Sequence, residues 1–564
     1  MRCPLATAAP HWVWNRISPR NRVVLLLLTL LLLPVSLRAE SASIADLKTQ
    51  ARELEKKHDW LEACRLYDEI LHRDRADNKA RLAYRHCLRR YHIVHRHQDR
   101  VYREALGRVE PGQALEMYKQ VLDTIGRTYV DRQKTGPAAL FRHGVDELRF
   151  AFEEGSFCQE YFPGIPRKTI DAFLDKLKDW RDRKIDSRAD ACDQVKAVGR
   201  TAQQMGFGPR PVLLTVITLE FLGGACNALD EYTFFLTPGH FRDVQGTLRG
   251  RLVSIGVDLA VVDGSLQITR VYPRGPAWDA GLRAGDHLLR IKDESTVTMS
   301  AESAAEMLRG EPGSTVKLEV LSPDRMKTQT LELKRRPVVV PSVAYEFLRD
   351  PLIVDDGEGM MTALPVGKMT ISYFQETTLQ EVREALASLQ SGGMKVLILD
   401  LRGNPGGLFK SAVQVAELFL PEGIIVVSQT HMQFKDKRLS GPIRAESMNP
   451  LLMPMVVLID GDTASAAEVL AGALKDNGRA KLIGQTTFGK GSIQCVIPLE
   501  KPPFDKMPGG LRITVAKLLT PHWQPFSGKG IQPNVPYPPD GDGVLLEAQR
   551  LLLDMVKSMR PMTE

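Results

Sequence analysis

Charge of one sign is what this chain has least of. Its 75 Lys and Arg stand against 68 Asp and Glu in 564 residues, a balance of +7. That is mild for the size and gives no reason to expect a nucleic-acid partner. Cysteine is scarce, at seven, and no two form a C-x-x-C pair, which argues against a zinc ribbon or a thioredoxin-type motif. The apolar run "VVLLLLTLLLLPV", Val23 to Val35, is too short for a comfortable membrane span. A phosphate cradle is nearly spelled but incomplete. In "LIGQTTFGKGSIQ", Leu482 to Gln494, the spacing from Gly484 to Gly489 and Lys490 fits a P-loop, yet Gly491 stands where a magnesium-holding hydroxyl is required. The following "SIQCVIPLE" has strand composition, whereas a phosphate loop must run into a helix. Lys490 therefore needs a different role.

What remains is the composition of an ordinary globular chain, 43% hydrophobic and 25% charged. The length is too great for one core, so three or more domains are expected. Arg16, Arg20 and Arg22 precede the apolar run, and small residues follow near Ala39 and Ala42. This reads as a signal peptide or an uncleaved anchor over 1–39, with the rest of the chain exported. Six cysteines remain after loss of Cys3. They read mostly as buried thiols, with Cys64/Cys87 and Cys158/Cys192 the disulfide pairs to test.

From Ile44 the pattern is helical. Trp60, Ala63, Tyr67 and Ile70 recur at helical spacing, and a break at Asp77-Asn78 precedes another helix. The segment 44–110 thus resembles one tetratricopeptide repeat, with a plain helical hairpin as the alternative. A protein adaptor bound there is an expected partner. His86, His92, His95 and His97 follow in a basic helix. His92 and His95 share a face that could bind metal, but a solvated basic face is the preferred reading. The helical region continues to about residue 241, with an irregular stretch through "PGIPRKTIDAF" and "MGFGPRP".

Near Gly250 the texture changes to period-two alternation with turns. Ser254-Ile255-Gly256-Val257-Asp258, Gly275-Pro276-Ala277 and Ala280-Gly-Leu-Arg-Ala-Gly-Asp286 resemble the motifs of a PDZ domain of the bacterial protease type, assigned to 242–337. The resemblance implies strand addition by an extended peptide, with N–H groups of Ser254, Ile255, Gly256 and Val257 around its terminal carboxylate.

Beyond Val340, strands alternate with helices, which predicts crossover units on a mainly parallel sheet. Loops leaving the carboxyl ends of its strands share one edge. They are "RGNPGG" (Arg402–Gly407), "GDTAS" (Gly461–Ser465) and "QTTFGKG", which carries Lys490. Singly, each has a plain explanation: Ser465 with Glu468 fits a capping box, and the glycines fit turns. Together they suit acyl transfer. Ser465 at a helix start would be the nucleophile and Lys490 a base made neutral by desolvation. Ala466 N–H and an N–H of Gly406 or Gly407 would form an oxyanion hole. His522 is a weaker base candidate, having no acidic neighbour in sequence.

At these residues the chain from about Asn227 to Asn534 resembles the carboxyl-terminal processing, or tail-specific, proteases. The matching motifs are "ALDEYTFFLTP", "LILDLRGNPGG", "GDTASAAEVLAGALKDNGRAKLIGQTTFGKGSIQ" and "GKGIQPN". The resemblance implies a Ser465/Lys490 dyad, with Gln494 holding the lysine. It also implies a multidomain α/β fold whose protease core, 338–540, is of the ClpP/crotonase-like kind, followed by a C-terminal helix in 541–564. Ala467 departs from the family's usual second serine, and the tetratricopeptide-like start lies outside the resemblance. The expected activity is an exported serine endopeptidase of the periplasm or the outer face of the cytoplasmic membrane. It would act near protein C-termini with no cofactor or metal, and association with the cytoplasmic membrane through the amino-terminal segment is a further expectation. The alternatives are a PDZ scaffold with a silent protease fold and, third, a nucleotide-binding protein.

Overall fold

The computed structural model describes residues 43–208, 211–262, 264–297, 299, 301–323, 327–355, 361–430, 439–538 and 543–559. The expected signal or anchor segment lies outside them. Among the described residues no helix is long and apolar enough to cross a membrane. The chain divides into two compact units, one comprising Gly250–Val340 and the other Ala39–Arg249 with Pro341–Glu564.

The larger unit begins with helices α1 (Ile44–Lys56), α2 (Trp60–Arg73) and α3 (Asn78–Gln98). Acidic and hydroxyl side chains start each of them: Ser43 accepts from Asp46 N–H, Asp59 from Glu62 N–H and Asp77 from Ala80 N–H. These bonds satisfy donors that a helix start leaves free. Trp60, Ala63, Tyr67 and Ile70 are buried as the helical spacing requires. Among its described residues the stretch 153–227 holds four α-helices, Gly155–Tyr161, Arg167–Arg181, Arg188–Ala202 and Pro211–Asn227, and a π-helical turn at Gln203–Phe207.

The basic helix α3 is not a solvated face. Arg90 pairs with Glu154, and Arg96 with Glu220, all of them buried. The ring of His92 stacks on Phe234, and that of His95 on His240. The carboxylates that allow this burial come from elements 58 or more positions further along the chain. A buried arginine is tolerated only when paired in this way. All six described cysteines are free thiols. Cys64 Sγ instead faces the carbonyl of Tyr84, and Cys192 Sγ that of Leu115.

Two main sheets follow, besides the short antiparallel pair Leu352–Asp355 and Met361–Leu364. The first runs in the order Val343–Phe347, Val366–Ile371, Val396–Asp400, Met455–Ile459, Lys481–Gly484 and Val535–Pro536. Its first pair is antiparallel and all others are parallel. Val396–Asp400 and Met455–Ile459 are buried at every position, as expected of strands covered on both faces. The second sheet is antiparallel and centred on Gly509–Leu519, which pairs with Phe234–Leu236, Ile424–Thr430 and Ser492–Leu499. One apolar core extends from Ile93 through the helical region into both sheets and ends at Ile531. The helical region from the end of α3 onward and the α/β sheet therefore fold around shared side chains.

The unit Gly250–Val340 has its own core, with Ile255, Leu259, Ile268, Leu288, Val316 and Leu318 buried. Its main sheet runs Val257–Val262, Ser265–Val271, His287–Ile291, Thr315–Ser322 and Lys327–Lys334. Val257–Val262 is thus an edge strand, and the helix Ala301–Leu308 packs beside it.

Candidate active site

Three loops leave the carboxyl ends of the parallel strands, and hydrogen bonds tie them together. Asp460 Oδ1 accepts from the N–H groups of Asp462 (3.1 Å) and Thr463 (2.9 Å) within its own loop, and from Gly403 N–H (2.9 Å) in the neighbouring one. Ala464 N–H donates to the Asn404 carbonyl at 2.9 Å, and Phe488 N–H to the Thr463 carbonyl at 2.9 Å. The segments around Asn404, Ser465 and Lys490 thus meet as their spacing predicts.

Ser465 precedes the helix Ala466–Asp476 with φ 54° and ψ −116°. A side chain held there costs about 1–3 kcal/mol and needs support from its surroundings. Gly406 packs against it: a Cβ on Gly406 would lie 2.7 Å from Ser465 Cβ and 2.9 Å from the Ala464 carbonyl. Only glycine fits.

Glu468 supplies the remaining support. Fully buried, it accepts four hydrogen bonds. Oε2 receives Ser465 N–H (2.8 Å) and Lys490 N–H (2.7 Å), while Oε1 receives Gly489 N–H and the Thr487 hydroxyl, both at 2.6 Å. Burial raises its pKa, and the four donors oppose that rise. The sequence reading gave Glu468 only a capping role. The S-x-x-E spacing was the available signal, but the bonds to the Lys490 loop are not readable from it.

Lys490 is 5% exposed. Burial pushes its amine well below the ordinary lysine range and Arg512 acts in the same direction, against Asp230, Glu468 and Glu231. Its Nζ lies 4.5 Å from the centre of the Tyr232 ring. It forms no hydrogen bond with Ser465 Oγ. Gln494, which the resemblance assigns to holding this amine, donates instead to Ser492 Oγ (2.9 Å) and Thr514 Oγ1 (3.4 Å). A register shift between Ile493 and Gln494 interrupts the strand at this point.

In the "RGNPGG" loop, Arg402 holds Asp400 through Nε (2.9 Å) and Nη2 (2.7 Å). Burial would raise the Asp400 pKa, but the guanidinium keeps it below the usual carboxylate value. Gly406 N–H donates to Asn404 Oδ1 at 2.8 Å, so it is engaged within its own loop. Phe374 binds both neighbours of Gly407, donating to the Gly406 carbonyl (2.8 Å) and accepting from Leu408 N–H (2.7 Å). In a parallel bridge of this kind the N–H of the middle residue points away from the partner strand. Gly407 N–H and, at the helix start, Ala466 N–H are the donors left over.

His522 gains an acidic neighbour that the sequence does not place beside it: Nδ1 lies 3.4 Å from Asp476 Oδ2. The pair is exposed on the imidazole side, and no hydrogen bond joins His522 to Ser465. Among the described residues no group of three or more His, Cys, Asp or Glu is placed to hold a metal ion.

In the smaller unit, Gly256 has φ 84°. The carbonyls of Ile255 and Gly256 accept from Ala277 N–H (2.8 Å) and Tyr272 N–H (2.9 Å). Ser254 and Val257 belong to strands paired with Arg336 and Val271. The loop between them is therefore anchored through its carbonyls.

Comparison with known proteins gives a consistent picture. The model of peptidase family S41 matches residues 365–537, and a PDZ domain model matches 267–322. The carboxyl-terminal-processing protease of Picosynechococcus sp. is 34% identical over 342 residues, which is 59% of this chain and 77% of that protein. The carboxyl-terminal-processing protease of Synechocystis sp. is 34% identical over 309 residues, 54% of this chain and 67% of that protein. Among solved structures, a photosystem II D1 C-terminal processing protease aligns over 78% of this chain and 97% of its own, with 25% identity and a TM-score of 0.39.

Proposed function

The chain belongs to peptidase family S41, the carboxyl-terminal processing proteases, and from that premise we propose that it is an exported serine endopeptidase working through Ser465 and Lys490. The observation that carries this reading is the single atom Glu468 Oε2, which accepts from the backbones of both Ser465 and Lys490. The nucleophile turn and the base loop are thereby held to one point.

The chemistry follows from the side chains. Neutral Lys490 turns from the Tyr232 ring toward Ser465 and takes its hydroxyl proton as Oγ attacks the substrate carbonyl. Ala466 and Gly407 N–H groups meet the resulting oxyanion, where preorganised donors contribute most. The lysine ammonium then protonates the departing amine, leaving an acyl-enzyme and the released C-terminal fragment. Water, deprotonated by the same lysine, attacks the ester and regenerates Ser465. Gln494 orients the amine once it has turned.

Substrate enters by its C-terminus. The edge strand Val257–Val262 accepts an extended peptide, and Ile255 and Gly256 N–H groups receive its carboxylate. The missing Ser465–Lys490 hydrogen bond favours a second reading, a PDZ scaffold with a silent protease fold. Cleavage of one peptide bearing a free or an amidated C-terminus, by the intact protein and by Ser465→Ala, separates the two. Cleavage that is lost in the variant and weakened by amidation supports the protease. No cleavage by the intact protein, with retained binding of the free C-terminus, supports the scaffold.

A further inference from the structure

The segment with no counterpart in the family motifs reaches the candidate site directly. Arg75, just beyond α2, donates from Nη2 to the Thr486 carbonyl (3.1 Å) and from Nη1 to the Lys529 carbonyl (2.9 Å). Thr486 lies in the Lys490 loop, and the Lys529 loop is bound to it through Gly528 N–H and the Gly489 carbonyl (2.7 Å). One turn earlier, His72 touches the Lys490 loop through Phe488 and the Ser465 loop through Asp462. Its ring lies 5.6 Å from that of Phe488, and its Nε2 is 3.7 Å from Asp462 Oδ1. Gly461 permits this approach, since a Cβ there would stand 3.3 Å from His72 Cδ2.

From this geometry we infer that His72 and Arg75 are positioning residues: α2 braces the Ser465 and Lys490 loops, and the brace is tightest when His72 carries its second proton. The inference rests on the dyad reading above. His72 Nδ1 lies 2.9 Å from the Asp68 carbonyl, which can only accept, so Nδ1 carries the hydrogen in the neutral ring. Nε2 is then the atom that gains and loses a proton. It is buried without a hydrogen-bond partner among the described residues and faces a carboxylate. Neutral, it opposes one lone pair to another; protonated, it makes an ion pair that joins α2 to the Ser465 loop.

The charged groups around this ring come from each element packed against it. Asp68 on α2 lies 3.4 Å from Nδ1, Asp462 is on the Ser465 loop, and Arg75 is on the turn after α2. Phe488 of the Lys490 loop is uncharged, and Glu468 acts at one remove, through Arg75. Burial disfavours the imidazolium, but the two carboxylates outweigh it and raise the His72 pKa above its usual value, with Arg75 opposing. Burial likewise lifts Asp68 to about 7. The proton is lost as pH rises through this raised pKa, and the strained Ser465 turn then loses one of its supports.

The test uses the full chain and two readouts. In the first, His72→Gln is compared with the parent in peptide cleavage. The expected result is kcat lower by roughly tenfold with KM nearly unchanged, and loss of the alkaline fall in kcat while the acid limb remains. Arg75→Ala should lower kcat similarly, and Arg75→Lys should restore part of it. The second readout is amide hydrogen exchange of 461–465 and 486–490 in the Ser465→Ala protein. Exchange should rise between about pH 6 and about pH 9 beyond the intrinsic rate increase, and His72→Gln should raise it already at the lower pH. Exchange at both loops that ignores pH and His72 overturns the brace. Because that readout needs no turnover, an inactive parent would refute the dyad reading while the brace is still judged. Should His72→Gln not fold, the pH dependence in the Ser465→Ala protein decides alone.

Discussion

Lys490 Nζ rests 4.5 Å from the centre of the Tyr232 ring. A π face attracts the charged amine and not the neutral one, so Tyr232 stabilises the protonation state that cannot accept the Ser465 proton. Replacing Tyr232 by Leu should lower the Lys490 pKa further. The acid limb of kcat/KM should move to lower pH by about half a unit, the size of an attraction of about 0.5–1 kcal/mol. Tyr232→Phe keeps the ring and should leave the limb in place.

Lys490 also links stability to pH. Its folded pKa lies well below 10.5, so between those values the unfolded chain binds a proton that the folded chain does not. Stability should therefore rise with pH across that window, by up to about 1.4 kcal/mol per unit, and the penalty should be complete below the depressed pKa. Denaturant midpoints of the parent and of Lys490→Met, taken at several pH values, should show that part of the slope vanishing in the variant.

Ser465→Ala and Lys490→Ala should each reduce peptide cleavage by roughly a thousandfold or more, and the double variant should be no worse than either. Gln494→Ala should cost less, since the role proposed for its amide is to orient the base and not to take a proton. Kinetics of the four purified proteins, each shown folded by circular dichroism, settle this.

Glu468→Gln keeps the shape but turns an amide NH2 toward donors that now meet a carboxylate. The expected loss is about 2–4 kcal/mol of stability, together with a fall in kcat, read by thermal melting and by cleavage kinetics. A variant as stable and as active as the parent would show that the two loops hold their places without it.

Gly256→Val places a Cβ 3.2 Å from both Val338 methyl groups at φ 84°, distorting the loop proposed to receive the carboxylate. KM for a peptide with a free C-terminus should rise and kcat should fall as well, and the discrimination against an amidated peptide should disappear. An unchanged kcat would reduce the PDZ domain to a tether.

Alternation of strands and helices made the parallel sheet legible, and the glycine loops marked its working edge. The 25 positions between Ser465 and Lys490 allowed one helix and one returning strand, which is what the chain builds. Other features depend on partners distant in sequence. The charges of α3 look solvated until Glu147 and Glu220 are folded against them. The positive φ of Ser465 has no signature in residue type, because it is imposed by Gly406 and Glu468. The docking of His72 on Gly461 obeys no local pattern, since it joins one helix end to a loop made much later in the chain.

That last separation has a consequence for how the protein is made. The Arg75 to Lys529 hydrogen bond spans 454 positions, and the apolar core is closed by Ile531. Synthesis proceeds from the amino terminus, so a ribosome must pass Ile531 before the brace and the core have these pieces. A nascent chain carries Ser465 and Lys490 without the surroundings that align them. Timing of assembly thus keeps the candidate site unaligned until residues far along the chain have been made.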